Sequence, residues 1–240
     1  MSQSMVRPSL QKTQLRGILR WLVKTLIGVL ILGLALFLAA GQTDWPAGWR
    51  YVAVLVLVQV INAMVLIPLR PDLIIERSQT SPDARTWDLW LAAGMALIGP
   101  VAMMVSAGLA FRFGQAAGFD ESMTVVGLAL VLVSSLIVVW AMLANPFFLG
   151  TIRIQTERGH RVASSGPYGV IRHPGYASII LFDLATPLAL GSVWAFIPAL
   201  LTIVVVFVRT MLEDRTLQNE LPGYKEYAQR VRSRLIPGIW

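Results

Sequence analysis

From Ser164 to Tyr176 the chain reads SSGPYGVIRHPGY, which packs two glycine turns, two prolines, two tyrosines, an arginine and a histidine into thirteen residues between long apolar blocks. A polar hinge in that position is where a reaction centre is expected. Upstream lies Gln155, then His160 with Arg161, Val162 and Ala163; downstream lie Arg209 and Glu213. The last two are spaced i, i+4, which puts guanidinium and carboxylate on one helix face. Such residues suit the handling of a small charged molecule: tyrosine faces for a cation, a carboxylate to accept hydrogen bonds and a guanidinium to aim an anion, and histidines for proton transfer. Each also has a plainer reading. Arg209 and Glu213 make a helix-end ion pair worth a few tenths of a kcal/mol. Arg172, His173 and Pro174 make a basic stop followed by proline at the first helical position. Tyr168 and Tyr176 anchor in lipid headgroups, and Gly166-Pro167 is a simple turn. Asp183 sits inside an apolar run; an acidic residue at membrane depth is a functional candidate, with a buried hydrogen bond to a neighbouring helix as its rival.

The elements that must position these residues follow from composition. Of 240 residues 56% are hydrophobic and 14% charged, against roughly 25% charged in a soluble domain. The apolar residues come in blocks of about 17–25, the length that crosses a bilayer, and the blocks are apolar all round rather than on one stripe. The fold expected is all-α, a polytopic integral membrane helical bundle of about six spans. Spans are expected at 21–40, 50–67, 87–110 and 123–148, the last ended by Asn145-Pro146 because proline disfavours helix in the residue before it. Two shorter runs, 176–190 and 192–208, read as a helical hairpin, and 213–240 as a polar tail with helical character up to Leu235, stopped by Pro237-Gly238. The organisation expected is a basic tail at 1–20, four spans within 21–149, and a functional region at 150–240 that contains the hairpin 176–208. Span one reads as retained; a secretory signal cleaved after Leu38-Ala39-Ala40 is its rival. Gln59 and Asn62 are expected to face other helices, and Asp88 to lie at the interface.

The net charge of +7 marks topology rather than nucleic-acid binding. Six spans place both termini on one side, and all 20 Lys and Arg except Arg50 and Arg112 fall on that side. Positive residues mark the cytoplasmic face, so the hinge, both termini and the site are expected in the cytoplasm, with the N-terminal tail lying on anionic lipid. The absence of cysteine excludes disulfides, thiolate metal sites and a cysteine nucleophile. With two histidines and no ligand-spaced cluster, a metal centre is not expected.

Taken in order, GPY-x3-RHP-x-Y, an apolar hairpin, R-x3-E-D-x2-L, GY-x2-Y and RLIP resemble the isoprenylcysteine carboxyl methyltransferase family, whose relatives include membrane phospholipid N-methyltransferases. The resemblance covers about residues 145–237. It implies an integral membrane methyltransferase that uses S-adenosylmethionine, with a lipid-like or prenylated small-molecule acceptor drawn from membrane lipid. By position it implies cofactor contacts at Gln155, His160, Arg161, Val162, Ala163, Tyr168, His173, Pro174, Gly175, Tyr176 and Glu213. It also implies catalytic roles for Arg209, which faces the acceptor, and for Glu213. Alignment at Gln155 needs a two-residue gap, and Asp214 stands where the family often has a second glutamate.

The physical chemistry agrees with those roles. Methyl transfer from a sulfonium needs in-line approach of a nucleophile, so positioning matters most. With a carboxylate acceptor, opposite charges collapse, which a dry site favours. Arg209 would aim that carboxylate without gripping it, since tight ground-state binding does not raise the rate. An amine acceptor must be neutral to react, and His160 or His173 would then serve as base. Alternatives outside this class are a sterol-reductase-like membrane enzyme using NADPH, and a transporter or non-enzymatic scaffold, for which internal repeats are wanting.

Overall fold

The computed structural model describes residues 12–79, 85–115 and 119–240. Among them the chain is helical with no strand: α1 (Lys12–Ala40), α2 (Pro46–Leu69), α3 (Pro71–Ser78), α4 (Thr86–Ala93), α5 (Gly99–Arg112), α6 (Glu121–Ala144), α7 (Pro174–Ala189), α8 (Phe196–Glu220) and α9 (Tyr224–Arg230). Helix α4 runs into α5 through one wide π-turn, Gly94–Ile98, so the two form a single span.

Five segments are long and apolar enough to cross a membrane: Gln14–Ala40, Pro46–Leu69, Thr86–Arg112, Glu121–Ala144 and Val193–Glu220. The expected sixth is α7. Its 16 residues rise about 24 Å at 1.5 Å each, short of the roughly 30 Å hydrocarbon core. The hairpin expected at 176–208 is therefore unequal, a short α7 against an α8 that continues as unbroken helix to Glu220. Polar residues after Val208 do not end α8, because Thr210, Asp214 and Thr216 are buried against the rest of the protein. Outward faces carry exposed apolar side chains in helical register, such as Leu26, Leu30, Leu34 and Leu38 on α1 and Leu200, Leu201 and Val204 on α8. Such surfaces belong against acyl chains, where helices satisfy their own backbone groups.

Inside, α1 and α5 share a core with α2, α6 and α7 that includes Leu36, Tyr51, Met103, Met104 and Ala185. Helix α6 lies closest to α7. A Cβ added at Gly127 would sit 2.3 Å from the backbone nitrogen of Ala189, so glycine is what lets the two backbones approach. Gly127→Ala should therefore lower stability by roughly 1–3 kcal/mol, the usual cost of overpacking, read as a fall in thermal midpoint in detergent.

The basic tail expected at 1–20 is partly α1. Residues 12–20 are helical and continuous with the span, while 1–11 lie outside the described residues. Ile18 and Trp21 pack against Leu66, Leu73, Ile74, Val139 and Met142, and the Lys24 ammonium donates to the Ser78 carbonyl at 2.6 Å. The start of α1 thus shares one end of the bundle with α3 and the end of α6. There Asn145 ends α6, its Oδ1 accepting from the Phe147 N–H at 2.9 Å, and the chain enters the irregular stretch that carries the hinge. The polar C-terminal region folds back on that hinge. The Arg172 and His173 amides donate to the Ser233 and Arg234 carbonyls at 3.0 and 2.9 Å, and Leu235 is buried.

Candidate active site

The hinge and the end of α8, some forty residues apart, close over one cavity of about 380 Å³, within the range of small-molecule sites. Its floor toward the membrane is apolar, with Met95, Pro100, Val138, Ile179 and Phe182. Met95 belongs to the π-turn, a distortion that recurs at functional sites. Of the residues singled out in the sequence, His160, Arg161, Val162, Ala163, Tyr168, His173, Gly175, Tyr176, Arg209 and Glu213 line this cavity, and Asp183 lies at its deep end. Gln155 and Pro174 do not.

Gln155 stands behind the wall, 1% exposed. Its amide donates to the Phe147 carbonyl at 2.9 Å and its oxygen accepts from Arg158, so it ties the loop after α6 to the short turn Thr156–Arg158. Pro174 is buried at the first position of α7, where its missing N–H costs nothing. The next residue, Gly175, has Phe148 so close that a Cβ would meet its ring at 2.6 Å. Glycine here lets the start of α7 rest on the loop that roofs the cavity.

Arg209 is 5% exposed and does not pair with Glu213. Its Nε donates to Asp88 Oδ1 at 2.8 Å, and its Nη2 to the Gly150 carbonyl at 2.6 Å. The guanidinium carbon sits 5.7 Å from the centre of the Tyr176 ring. Asp88, expected at the interface, is fully buried; its Oδ2 accepts from the Ile152 N–H at 2.7 Å. One carboxylate therefore fixes both the arginine and the strand-like run beside it. Glu213 instead accepts from the Tyr176 hydroxyl, which joins α8 to the first turn of α7.

Asp214, one residue on, faces the other way into a buried hub. Its oxygens lie 3.0 and 3.1 Å from Arg172 nitrogens and 3.0 Å from Arg234 Nε. They also meet the Gln218 amide at 2.9 Å, the Tyr224 hydroxyl at 3.1 Å and His173 Nε2 at 3.3 Å. A buried carboxylate needs such company to remain charged. The hub fixes the His173 ring in the cavity wall, stacked 5.8 Å from Tyr176. Tyr227 completes the frame, donating to the Tyr168 carbonyl at 2.7 Å, while Asn145 donates to the Tyr168 hydroxyl at 3.3 Å. Burial pushes the phenols of Tyr168 and Tyr224 well above their usual range and that of Tyr227 up to about 12, so all three remain neutral at physiological pH.

His160 is half-buried against Phe147, ring centres 4.5 Å apart. Burial, with the Arg158 charge beside it, pulls its pKa down from the usual 6.5 to about 4. Its Nδ1 accepts from the Gln155 N–H at 3.2 Å, which assigns the proton to Nε2 and occupies the lone pair that a general base would use. The fold thus favours neutral His160. That contribution is complete above pH 6.5 and is lost as pH falls from 6.5 toward 4, where the unfolded chain takes up a proton and the folded chain does not. His160→Gln should flatten the dependence of thermal midpoint on pH across that window relative to wild type.

Asp88, Asp214, Tyr224, Tyr227 and Arg234 carry much of this geometry without having been assigned a role from the sequence. The last three stand in the GY-x2-Y and RLIP segments, which were visible as pattern. Among the described residues no cluster of histidine and acidic side chains forms a metal site.

Residues 122–222 match the family model described as phospholipid methyltransferase. A probable protein-S-isoprenylcysteine O-methyltransferase of Oryza sativa subsp. indica is 29% identical over 113 residues, 46% of this chain and 59% of that protein. The lamin-B receptor of Drosophila melanogaster is 28% identical over 100 residues, 40% of this chain and 14% of that protein. The Delta(14)-sterol reductase of Mus musculus is 29% identical over 100 residues, 40% of this chain and 24% of that protein. The matches thus span less than two thirds of each relative. The family model and the rice protein support the membrane methyltransferase family, and the five apolar helices agree with an integral membrane protein.

Proposed function

We propose that this protein moves a methyl group from S-adenosylmethionine to a lipid-like acceptor at the cytoplasmic edge of the bilayer. The observation that carries the reading is the single cavity enclosed by the hinge and the exit of α8, polar toward one end of the bundle and apolar toward its middle. The residues fit the cofactor: a carboxylate at Glu213, aromatic faces at Tyr176 and Tyr168, and the 160–163 run offer hydrogen bonds and a face for a cation, the latter worth about 1 kcal/mol. When bound, the cofactor supplies an electrophilic methyl on a positively charged sulfur. Glu213, held by Tyr176, presents its remaining lone pairs as acceptors. Met95, Pro100, Val138 and Ile179 exclude water and admit an apolar tail. Arg209, with Nε and Nη2 already engaged, keeps Nη1 to aim a carboxylate, and its charge is offset by Asp88, so it orients without gripping.

On this reading the product is a methyl ester, as for the isoprenylcysteine-type enzymes. The match to the phospholipid methyltransferase model favours a second reading, N-methylation of an amine lipid. His160 is not an open base, because its Nδ1 is occupied. His173 turns Nε2 to Asp214, which leaves its Nδ1 lone pair as the histidine acceptor for an amine's proton.

Calorimetry on the purified protein should detect S-adenosylmethionine and not NADPH; the reverse would favour a reductase. Labelled methyl transferred to carboxylate lipids should be released by mild alkali, whereas label on nitrogen resists it. Reporters fused at either terminus should both score as cytoplasmic; an external C-terminus would overturn the placement of the site.

A further inference from the structure

Asp183 is 1% exposed, and neither of its carboxylate oxygens has a hydrogen-bond partner among the described residues. It lines the deep end of the cavity. It stands seven residues beyond Tyr176 on α7, two turns or about 10 Å further into the membrane at 1.5 Å per residue. Ile179 and Phe182 beside it are apolar. Ser135 on the packed helix α6 is buried and likewise without a partner, and the other polar side chains near it on α7 are committed elsewhere. Thr186, one turn on, bonds the Tyr51 hydroxyl at 3.0 Å, and Ser178 donates to the Gly175 carbonyl at 2.8 Å. Three of the five arginines that line the cavity are ion-paired elsewhere: Arg209 with Asp88, Arg172 with Asp214, Arg153 with Glu76. A buried carboxylate without a donor is among the costliest arrangements a protein can hold, and in membrane helices such residues mark sites where something polar must come.

Resting on the methyltransferase reading, we infer that Asp183 is the acceptor's recognition residue, binding an amine group that the acceptor carries to mid-membrane depth. A primary amine in its ammonium form brings up to three N–H donors and a positive charge, enough to satisfy both orphaned oxygens. A hydroxyl brings one donor and no charge. A carboxylate brings none and is repelled. The subsite thus selects amphiphiles with a cationic group over plain fatty acids. It is separate from Arg209, which lies nearer the mouth of the cavity beside Tyr176.

The test uses the full-length purified protein with water-soluble amphiphiles of equal chain length: n-octylamine, n-octanol and octanoate. Binding is read from the shift in thermal midpoint as each is titrated. Octylamine is expected to bind about tenfold or more tightly than octanol, as a desolvated charge pair would give; octanoate, which Arg209 can hold, is the control for that separate site. Asp183→Asn should weaken octylamine binding and Asp183→Leu should abolish the preference. Asp183→Leu should also fold with an equal or higher midpoint when no amphiphile is present, because it removes a buried polar group without a partner. Equal binding of octylamine and octanol would overturn the inference, as would a preference for octylamine over octanol that survives in Asp183→Leu or a large loss of stability in that variant. S-adenosylmethionine calorimetry on the same samples is a separate readout. Its failure in wild type would sink the methyltransferase reading while leaving the amine preference measurable.

Discussion

Alanine at Asp88 is expected to abolish the proposed methyl transfer and to cost about 3–5 kcal/mol of stability, the penalty for leaving a buried charge without its partner. Asp88 performs two tasks. One oxygen holds Arg209 Nε at 2.8 Å and the other holds the Ile152 N–H at 2.7 Å. Loss of both releases the arginine from its aim and the 150–152 run from the roof of the cavity. Asparagine separates the tasks, since its oxygen can still accept from Ile152 while offering no charge to Arg209. Asp88→Asn should therefore keep more stability than alanine yet recover little turnover. Thermal unfolding in detergent and labelled-methyl transfer at saturating cofactor measure the two effects. Full turnover in Asp88→Asn would mean that Arg209 needs no acidic partner to do its work.

The second large effect separates Glu213 from Arg209. Glu213→Ala should lose S-adenosylmethionine binding by calorimetry, because it removes the acceptor and frees the Tyr176 hydroxyl. Arg209→Ala should keep that binding and lose turnover by about 100-fold, the scale on which small misplacements act. Because alanine at 209 strands Asp88, Arg209→Lys is the gentler companion. It keeps the charge, but one ammonium cannot reproduce the fork that reaches both Asp88 and Gly150, so turnover should again fall while the protein stays folded. Similar mild effects at both positions would support no more than helix-end pairing.

The outline of the fold was legible because the bilayer imposes it. Long blocks without polar faces admit few structures, and the structure keeps five of them as long helices. Helical character past Val208 was expected as far as Leu235; helix runs to Glu220 and again over Tyr224–Arg230, and 231–240 is irregular. Thr210, Asp214 and Thr216 lower the apolar score, yet they form a buried stripe through bonds to distant groups, so the helix continues. The site was half legible. The hinge and the Arg209–Glu213 spacing were visible as local pattern; with the 160–163 run before them, ten of the residues singled out line one cavity. Asp88 was not, because its partner lies 121 residues away; a lone acid at the start of a span reads equally well as a headgroup neighbour. Gln155 differs again. The resemblance places it at the cofactor, but an amide can donate and accept at once, and here it does both within the loop that it ties together, behind the cavity wall.

The backbone bonds from Arg172 and His173 to Ser233 and Arg234 also bear on biosynthesis. The hinge is threaded into place by residues made some sixty positions later, after the last residue of every apolar helix has been added. A nascent chain can thus be fully inserted into the lipid and still be inert. If the protein acts as proposed, competence waits for these last residues, and a premature stop within the 230s is expected to yield a protein that inserts but transfers no methyl group.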